Sequence, residues 1–235
     1  MSSENVPSAA DTIVLAMDTS TSFASVALYG PGALWGEHTW WSGQNHSVEL
    51  LANISRLLGQ AKIAVSEVGA LAVAIGPGSY NGLRVGVSTA KGLAYALKKP
   101  LIGVSTLEVL AYQHSNLTLP IRPLLDAGRG EVVTALYRNF RRVWRQLEGQ
   151  RITSVDALCQ VTERRTLFCG EISPVAGAEL RHRLGNKAIV VSQASSARRA
   201  GYLAELAWRR WQEGQLDDPA GLQPVYIRRP PIGIK

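Results

Sequence analysis

Two stretches of this chain match each other in pattern. Asp18–Tyr29 (DTSTSFASVALY) lies on Asp126–Tyr137 (DAGRGEVVTALY) without a gap, 108 residues further on in a chain of 235. Each copy begins at the acid that closes an apolar run, Ile13 to Met17 in one and Ile121 to Leu125 in the other, and each ends on Ala-Leu-Tyr. Continuous apolar runs of that length read as strands buried on both faces. Ala24 to Tyr29 and Val132 to Tyr137 read as the strands that follow. A strand–acid–turn–strand unit repeated half a chain apart predicts an α/β fold of two lobes built by duplication.

The remaining periodicities fill in that frame. Leu34 to Trp41, Ala70 to Ile75, Leu101 to Val104, Thr166 to Cys169 and Ala188 to Val191 read as further strands. Leu50, Ile54, Leu57, Leu58 and Ala61 have helical spacing within Ser47–Ala61. A glycine loop, Gly76 to Gly82, leads into a second helix, Leu83–Leu97, and Ser105 with Glu108 has capping-box spacing for a third. Ala197–Trp211 reads as a last helix.

Composition excludes several classes. Hydrophobic residues make up 46 % of the chain and charged residues 18 %, enough apolar material for a core and too little charge for global disorder. The longest clean apolar run, Ala70 to Ile75, is six residues, against about 20 for a membrane helix. Residues 1–11 read as a disordered tail, with no basic or apolar region of a signal peptide. The two cysteines, Cys159 and Cys169, make neither a disulfide framework nor a zinc pattern. A reducing cytoplasm is the expected location. The charge is uneven: residues 1–118 hold 6 Lys/Arg and 7 Asp/Glu, residues 119–235 hold 19 and 11. The basic second half has either ordinary solvated faces or an acidic partner such as RNA.

Candidate chemistry centres on the repeated acids and the glycine loop. Asp18 and Asp126 could each hold a hydrated Mg²⁺ beside turn amides that cradle phosphate, or simply accept hydrogen bonds from the turn amides behind them. The Thr19–Ser22 turn has no glycine, so its backbone approaches a phosphate less closely. Gly76–Arg84 (GPGSYNGLR) opens a helix, where anions bind, but it has neither the Gly-Lys-Ser/Thr ending of a Walker A loop nor a third glycine at Asn81. The helix after it is small on two ridges: Gly82, Gly86, Ala90 and Ala94, then Ser88, Gly92 and Ala96. Such a helix fits either a closely packed sheet of its own chain or a docking surface for another protein. The four histidines, His38, His46, His114 and His182, show no metal-binding pair, which argues against a metallopeptidase. Arg and Trp interleave at Arg141–Arg145 (RRVWR) and Trp208–Trp211 (WRRW), which suits either RNA stacking or, for the second, packing of two tryptophans one helical turn apart.

LAMDTSTSFASVALY, HSVELL, AVAIGPGSYNGLRVGVSTAKGLAYAL, PLIGVSTLEVLA and LLDAGRGEVVTALY follow one another as in the TsaB family, which the chain resembles densely over residues 12–137. FCG at 168–170 and PVYIR at 224–228 are later echoes, and Tyr80-Asn81 stands where the family more often has Phe-Thr. The resemblance implies an actin/Hsp70-like (ASKHA) two-lobe fold, here 12–106 and 107–235. It implies a non-catalytic adaptor and activator subunit in synthesis of tRNA N6-threonylcarbamoyladenosine (t6A37), one that binds and stabilises the TsaD transferase and supports recruitment of the TsaE ATPase. It assigns this chain no catalytic residue, no metal and no required cofactor, with ATP and Mg²⁺ possible in the complex. Docking through the N-lobe helices would use His46, Ser47, Leu50, Leu51 and Ile54 with Gly82, Leu83, Gly86 and Ala90, and the same lobe could pair with a second copy. tRNA would be touched indirectly or through the basic second lobe, with no membrane involved. The alternative is a Mg-nucleotide-using enzyme of the actin-like superfamily with Asp18 and Asp126 in the cleft. Its phosphate loops would be Asp18, Thr19, Ser20, Gly76, Gly78 and Ser79, then Asp126 and Gly128.

Overall fold

The computed structural model describes residues 13–226. The expected 1–11 tail lies outside them, as do residue 12 and residues 227–235. The described residues form two compact units, one of 13–105 with 198–225 and the other mainly 106–197.

In the first unit, β1 (Ile13–Asp18) is the middle strand of a five-stranded sheet, with every residue buried. It pairs antiparallel with β2 (Phe23–Gly30), which pairs antiparallel with β3 (Ala33–Trp41). On its other side it pairs parallel with β4 (Val68–Gly76), which pairs parallel with β5 (Leu101–Ser105). Helices cover both faces of β1, which is why it is an unbroken apolar run. α1 (His46–Ala61) buries Leu50, Ile54, Leu57 and Leu58 against Leu15, Val26 and Leu28, each worth about 2 kcal/mol over exposure. α2 (Tyr80–Leu97) lies beside it over β4 and β1. Lys62, at φ 57°, ends α1, and the following Ile63 N–H reaches the Leu58 carbonyl at 3.0 Å.

The second unit repeats this plan. β6 (Ile121–Gly128) is central, β7 (Glu131–Phe140) and β8 (Val143–Ser154) follow it antiparallel, and β9 (Thr166–Gly170) and β10 (Ala188–Val190) extend it parallel. Strand for strand, the order matches that of the first sheet. The DTSTSFASVALY and DAGRGEVVTALY segments are the β1–β2 and β6–β7 hairpins. α4 (Val155–Val161) and α5 (Pro174–Leu184) bury Leu158, Leu180 and Leu184 with Phe168 and Leu124. α3 (Thr106–Tyr112) sets Leu107, Leu110 and Ala111 against Ile121, Val133 and Leu167. This is the duplicated actin/Hsp70-like architecture.

The structure differs from the sequence reading in several places. Residues 198–225 belong with the first unit, not with a 107–235 lobe. The reason is α6 (Ala200–Gln212), which packs on β1 and β2. Its start is held by side chains from the strands: Ser25 Oγ accepts from Ala200 N at 3.0 Å, and Glu37 accepts from Gly201 N at 2.7 Å and from the Arg199 guanidinium at 2.7 and 2.9 Å. Those remote caps start the helix at Ala200 instead of Ala197. α2 begins at Tyr80, three residues before the expected Leu83, because Ser79 caps it by accepting from Gly82 N. β8, α4 and α5 were not read from the sequence at all.

Candidate functional site

The acid that ends β1 turns its chain inward. Asp18 is 1 % exposed, and its Oδ1 accepts from both the amide and the hydroxyl of Ser20. Its Oδ2 is buried without a hydrogen-bond partner. The Thr19 hydroxyl donates to the Gly82 carbonyl at 2.7 Å, and Ser79 N donates to the Ser20 carbonyl at 2.7 Å. The turn after β1 and the glycine loop before α2 are therefore pressed together. A Cβ at Gly78 would overlap the Ser20 carbonyl, one at Gly82 the Thr19 carbonyl, and one at Gly86 the Thr19 hydroxyl. The amides of Ser20 and Ser79 are already spent within the unit. Asp18, Thr19, Ser20, Gly78 and Ser79 form a packed joint with Gly82 and Gly86, while Gly76 lies against Val225 and Leu83.

The second copy of the turn is open. Asp126 is exposed and its Oδ1 accepts from Gly128 N at 2.8 Å, the same acid-to-i+2 bond as in the first copy. Asp126, Gly128, Arg129 and Glu131 line a cavity of about 680 Å³ together with Glu171 and Ser173 at the start of α5. Three carboxylates against one guanidinium make this lining unfavourable for a bare phosphate. Among the described residues, no group of three or more His, Cys, Asp or Glu side chains is placed to hold a metal ion, and no helix is long and apolar enough to cross a membrane.

The residues expected at a partner interface divide by helix face. His46, Leu50, Ile54, Gly82, Leu83, Gly86 and Ala90 are buried in the first unit's own core, and only Ser47 and Leu51 are exposed. The ridge Gly82, Gly86, Ala90 and Ala94 faces the sheet, where its small side chains let α2 approach β1 and β4. Of the two roles the sequence left open for this ridge, packing on the chain's own sheet is the one observed, so His46, Leu50, Ile54, Gly82, Leu83, Gly86 and Ala90, which the resemblance put at a docking surface, are buried within the unit. The second ridge, Ser88, Gly92 and Ala96, is exposed, and nothing lies within 4 Å of a Cβ placed on Gly92. On the same helix Tyr95 is 87 % exposed, and on α1 Val48 is 78 % and Leu51 52 % exposed. Val48 and Tyr95 were not chosen from the sequence. The signal for them is apolar residues on the helix stripe opposite the buried one.

The two Arg–Trp segments also divide. In WRRW, Trp208 meets Trp211 edge-on at 5.6 Å and Tyr29 at 6.1 Å. Arg209 pairs with Glu205 at 2.8 Å, and Arg210 donates to the Gly103 carbonyl. Of these, the Trp208–Tyr29 and Arg210–Gly103 contacts hold α6 to its sheet, and the other two lie within the helix. RRVWR is the turn of the β7–β8 hairpin and the start of β8.

Known proteins match this chain over nearly its whole length. The family described as TsaD, tRNA N6-adenosine threonylcarbamoyltransferase, matches residues 41–207. The tRNA threonylcarbamoyladenosine biosynthesis protein TsaB of Bacillus subtilis is 33 % identical, over 92 % of this chain and 93 % of its own length. The Escherichia coli protein of that name is 29 % identical, over 92 % and 94 %. The solved structure of YeaZ from Pseudomonas aeruginosa superposes with a TM-score of 0.76 at 26 % identity, over 91 % of this chain and all of that one.

Proposed function

This chain belongs to the TsaB family of tRNA threonylcarbamoyladenosine biosynthesis proteins, within the wider family that the TsaD transferase represents, and on that premise we propose that it is the non-catalytic adaptor and activator of a TsaD-like transferase. Its part in t6A synthesis follows from the family. In the adaptor role it binds and stabilises the transferase, supports the joining of a TsaE-like ATPase and acts in the cytoplasm.

One observation carries the reading. On α2, exposed Tyr95 shares a helix with the exposed ridge of Ser88, Gly92 and Ala96, and the neighbouring α1 exposes Val48 and Leu51. Apolar anchors beside a small ridge allow a partner helix to pack at close range. The same face would serve a second copy of the chain when the transferase is absent. The inward residues Gly82, Gly86 and Ala90 support this face from beneath.

Size-exclusion chromatography with light scattering tests the reading on the chain mixed with the TsaD-like protein of the same organism. The wild-type chain should form a heterodimer. Leu51→Glu and Gly92→Arg should abolish it without lowering the unfolding temperature, since both positions point outward. A heterodimer that survives both substitutions would place the interface elsewhere, and no heterodimer from the wild-type chain in the presence of the ATPase, nucleotide and tRNA would sink the adaptor role.

A further inference from the structure

The β7–β8 hairpin carries a chemistry that its place in the fold does not demand. Phe140 pairs with Val143 across a two-residue turn, Arg141 and Arg142, at φ 51° and 65°. Positive φ at both positions is the type I′ pattern, which favours Asn-Gly or Gly-Gly. Two arginines there are a strained choice. Just behind the turn, Arg138 faces Arg145 across the strand pair, and like charges directly opposite repel. Residues 137–147 hold four arginines and no acid. Among the described residues, none of the four forms an ion pair with a carboxylate.

The duplication supplies an internal control. The equivalent β2–β3 hairpin closes Gly30 on Ala33 through Pro31 and Gly32, without a charge. The topology is therefore satisfied by a neutral, unstrained turn, and the arginines are an addition.

They are also held in an ordered array. On one face of the hairpin, Trp144 stacks on Tyr137 at 5.6 Å and meets Tyr112 edge-on, while the Asn139 amide donates to the Ser115 carbonyl at 2.7 Å. That face anchors the tip. Residues alternate across a strand, so Arg138, Phe140, Val143 and Arg145 project from the other face. Phe140 is 49 % exposed, with the guanidinium groups of Arg138 and Arg141 over its ring at 5.6 and 5.3 Å.

We propose that this hairpin tip is an RNA-binding element, in which Arg138, Arg141, Arg142 and Arg145 neutralise backbone phosphates of the tRNA. The guanidinium planes held on Phe140 offer a stacking surface to an unpaired base. The proposal rests on the role in tRNA modification, which supplies the RNA. Four guanidinium groups at one hairpin tip, two of them over an exposed ring, fit RNA better than an acidic protein, because the same groups present edges to phosphate and faces to bases.

The test is fluorescence anisotropy with a labelled, in vitro transcribed tRNA, titrated with the chain alone and with its transferase partner between about 50 and 200 mM salt. The double variant Arg141→Asn/Arg142→Gly keeps a turn sequence that type I′ prefers, so it should fold and unfold at a temperature no lower than wild type. Its affinity for tRNA at low salt should fall at least about tenfold, and the log–log salt slope should shrink by about 1.5 to 2. Arg138→Gln/Arg145→Gln should act in the same direction. Unchanged affinity and slope in both variants would overturn the proposal, as would absence of tRNA binding by wild type in both forms. Loss of transferase binding with tRNA binding intact would make the tip a protein contact and overturn it too. A chain that forms no heterodimer but binds tRNA through this tip would refute the adaptor reading and leave this one standing.

Discussion

The same substitution on one helix should have opposite effects at two positions ten residues apart, Gly82→Ala and Gly92→Ala. Both lie within α2. Glycine in a helix interior is about 1 kcal/mol less favourable than alanine. At Gly92 the new methyl meets nothing within 4 Å, so the full ~1 kcal/mol should appear as stability. At Gly82 the Cβ falls on the Thr19 carbonyl oxygen, with Ser79 Cβ at 3.4 Å. Thr19 cannot yield easily, because its hydroxyl donates to the Gly82 carbonyl and its neighbours Asp18 and Ser20 are bonded to each other. Overpacking costs about 1–3 kcal/mol, and overlap with backbone belongs at the upper end. After the helix gain of ~1 kcal/mol, a net loss of about 2 kcal/mol is expected. For a chain of this size, 1 kcal/mol moves the unfolding midpoint by roughly 2–4 °C. Calorimetry should therefore show Gly92→Ala up by about that amount and Gly82→Ala down by about twice it. If Gly82→Ala is as stable as wild type, the joint between the β1 turn and α2 is not close-packed, and the inward assignment of the Gly82 ridge fails with it.

Two further outcomes follow from the acids. Asp18→Asn keeps an oxygen that can accept from Ser20, so stability should change by less than about 1 kcal/mol; t6A formation by the reconstituted complex should persist, whereas its loss in a stably folded variant would favour the Mg-nucleotide reading. Hydrogen bonds from Arg122 hold Glu148 below the usual carboxylate range, so its contribution is present above the unfolded-state value of about 4.3 and is lost as pH falls through the lower folded value. Glu148→Gln should accordingly flatten the acid limb of the stability–pH curve below about pH 5 and lower stability at pH 7; an unchanged acid limb would show that the Arg122 pair contributes nothing.

What the sequence revealed and what it hid follow from where the information lies. β1, β4 and β6 are covered on both faces, so their burial is written as continuous apolar runs. β8 is an edge strand with much of its length in solvent, and VWRQLEGQRITS carries no apolar run or clean alternation to mark it. α5 buries only Gly177, Leu180 and Leu184, too few for a visible stripe. The start of α6 depends on Ser25 and Glu37, which are more than 160 residues away. At the candidate interface, two small ridges on α2 looked alike in sequence. Only the position of Thr19 against Gly82 and Gly86 shows which one faces the sheet.

The divergence between the two copies explains why one duplicated motif need not yield two equal sites. Both copies keep the acid and its bond to the residue two places on, which is the part the β-turn itself requires. In the first copy the glycine ridge of α2 packs directly on the turn, and the other small ridge of the same helix is exposed. In the second, Gly128, Arg129 and Gly130 leave the turn open to a cavity, and the arginines lie at the far end of the strands, on the next hairpin. A helix held to its sheet through backbone oxygen and glycine has little freedom to rotate or slide. That rigidity suits a surface that orders another protein more than a loop that must admit and release a nucleotide, and it predicts that inward glycine substitutions will weaken transferase binding only in proportion to the stability they remove.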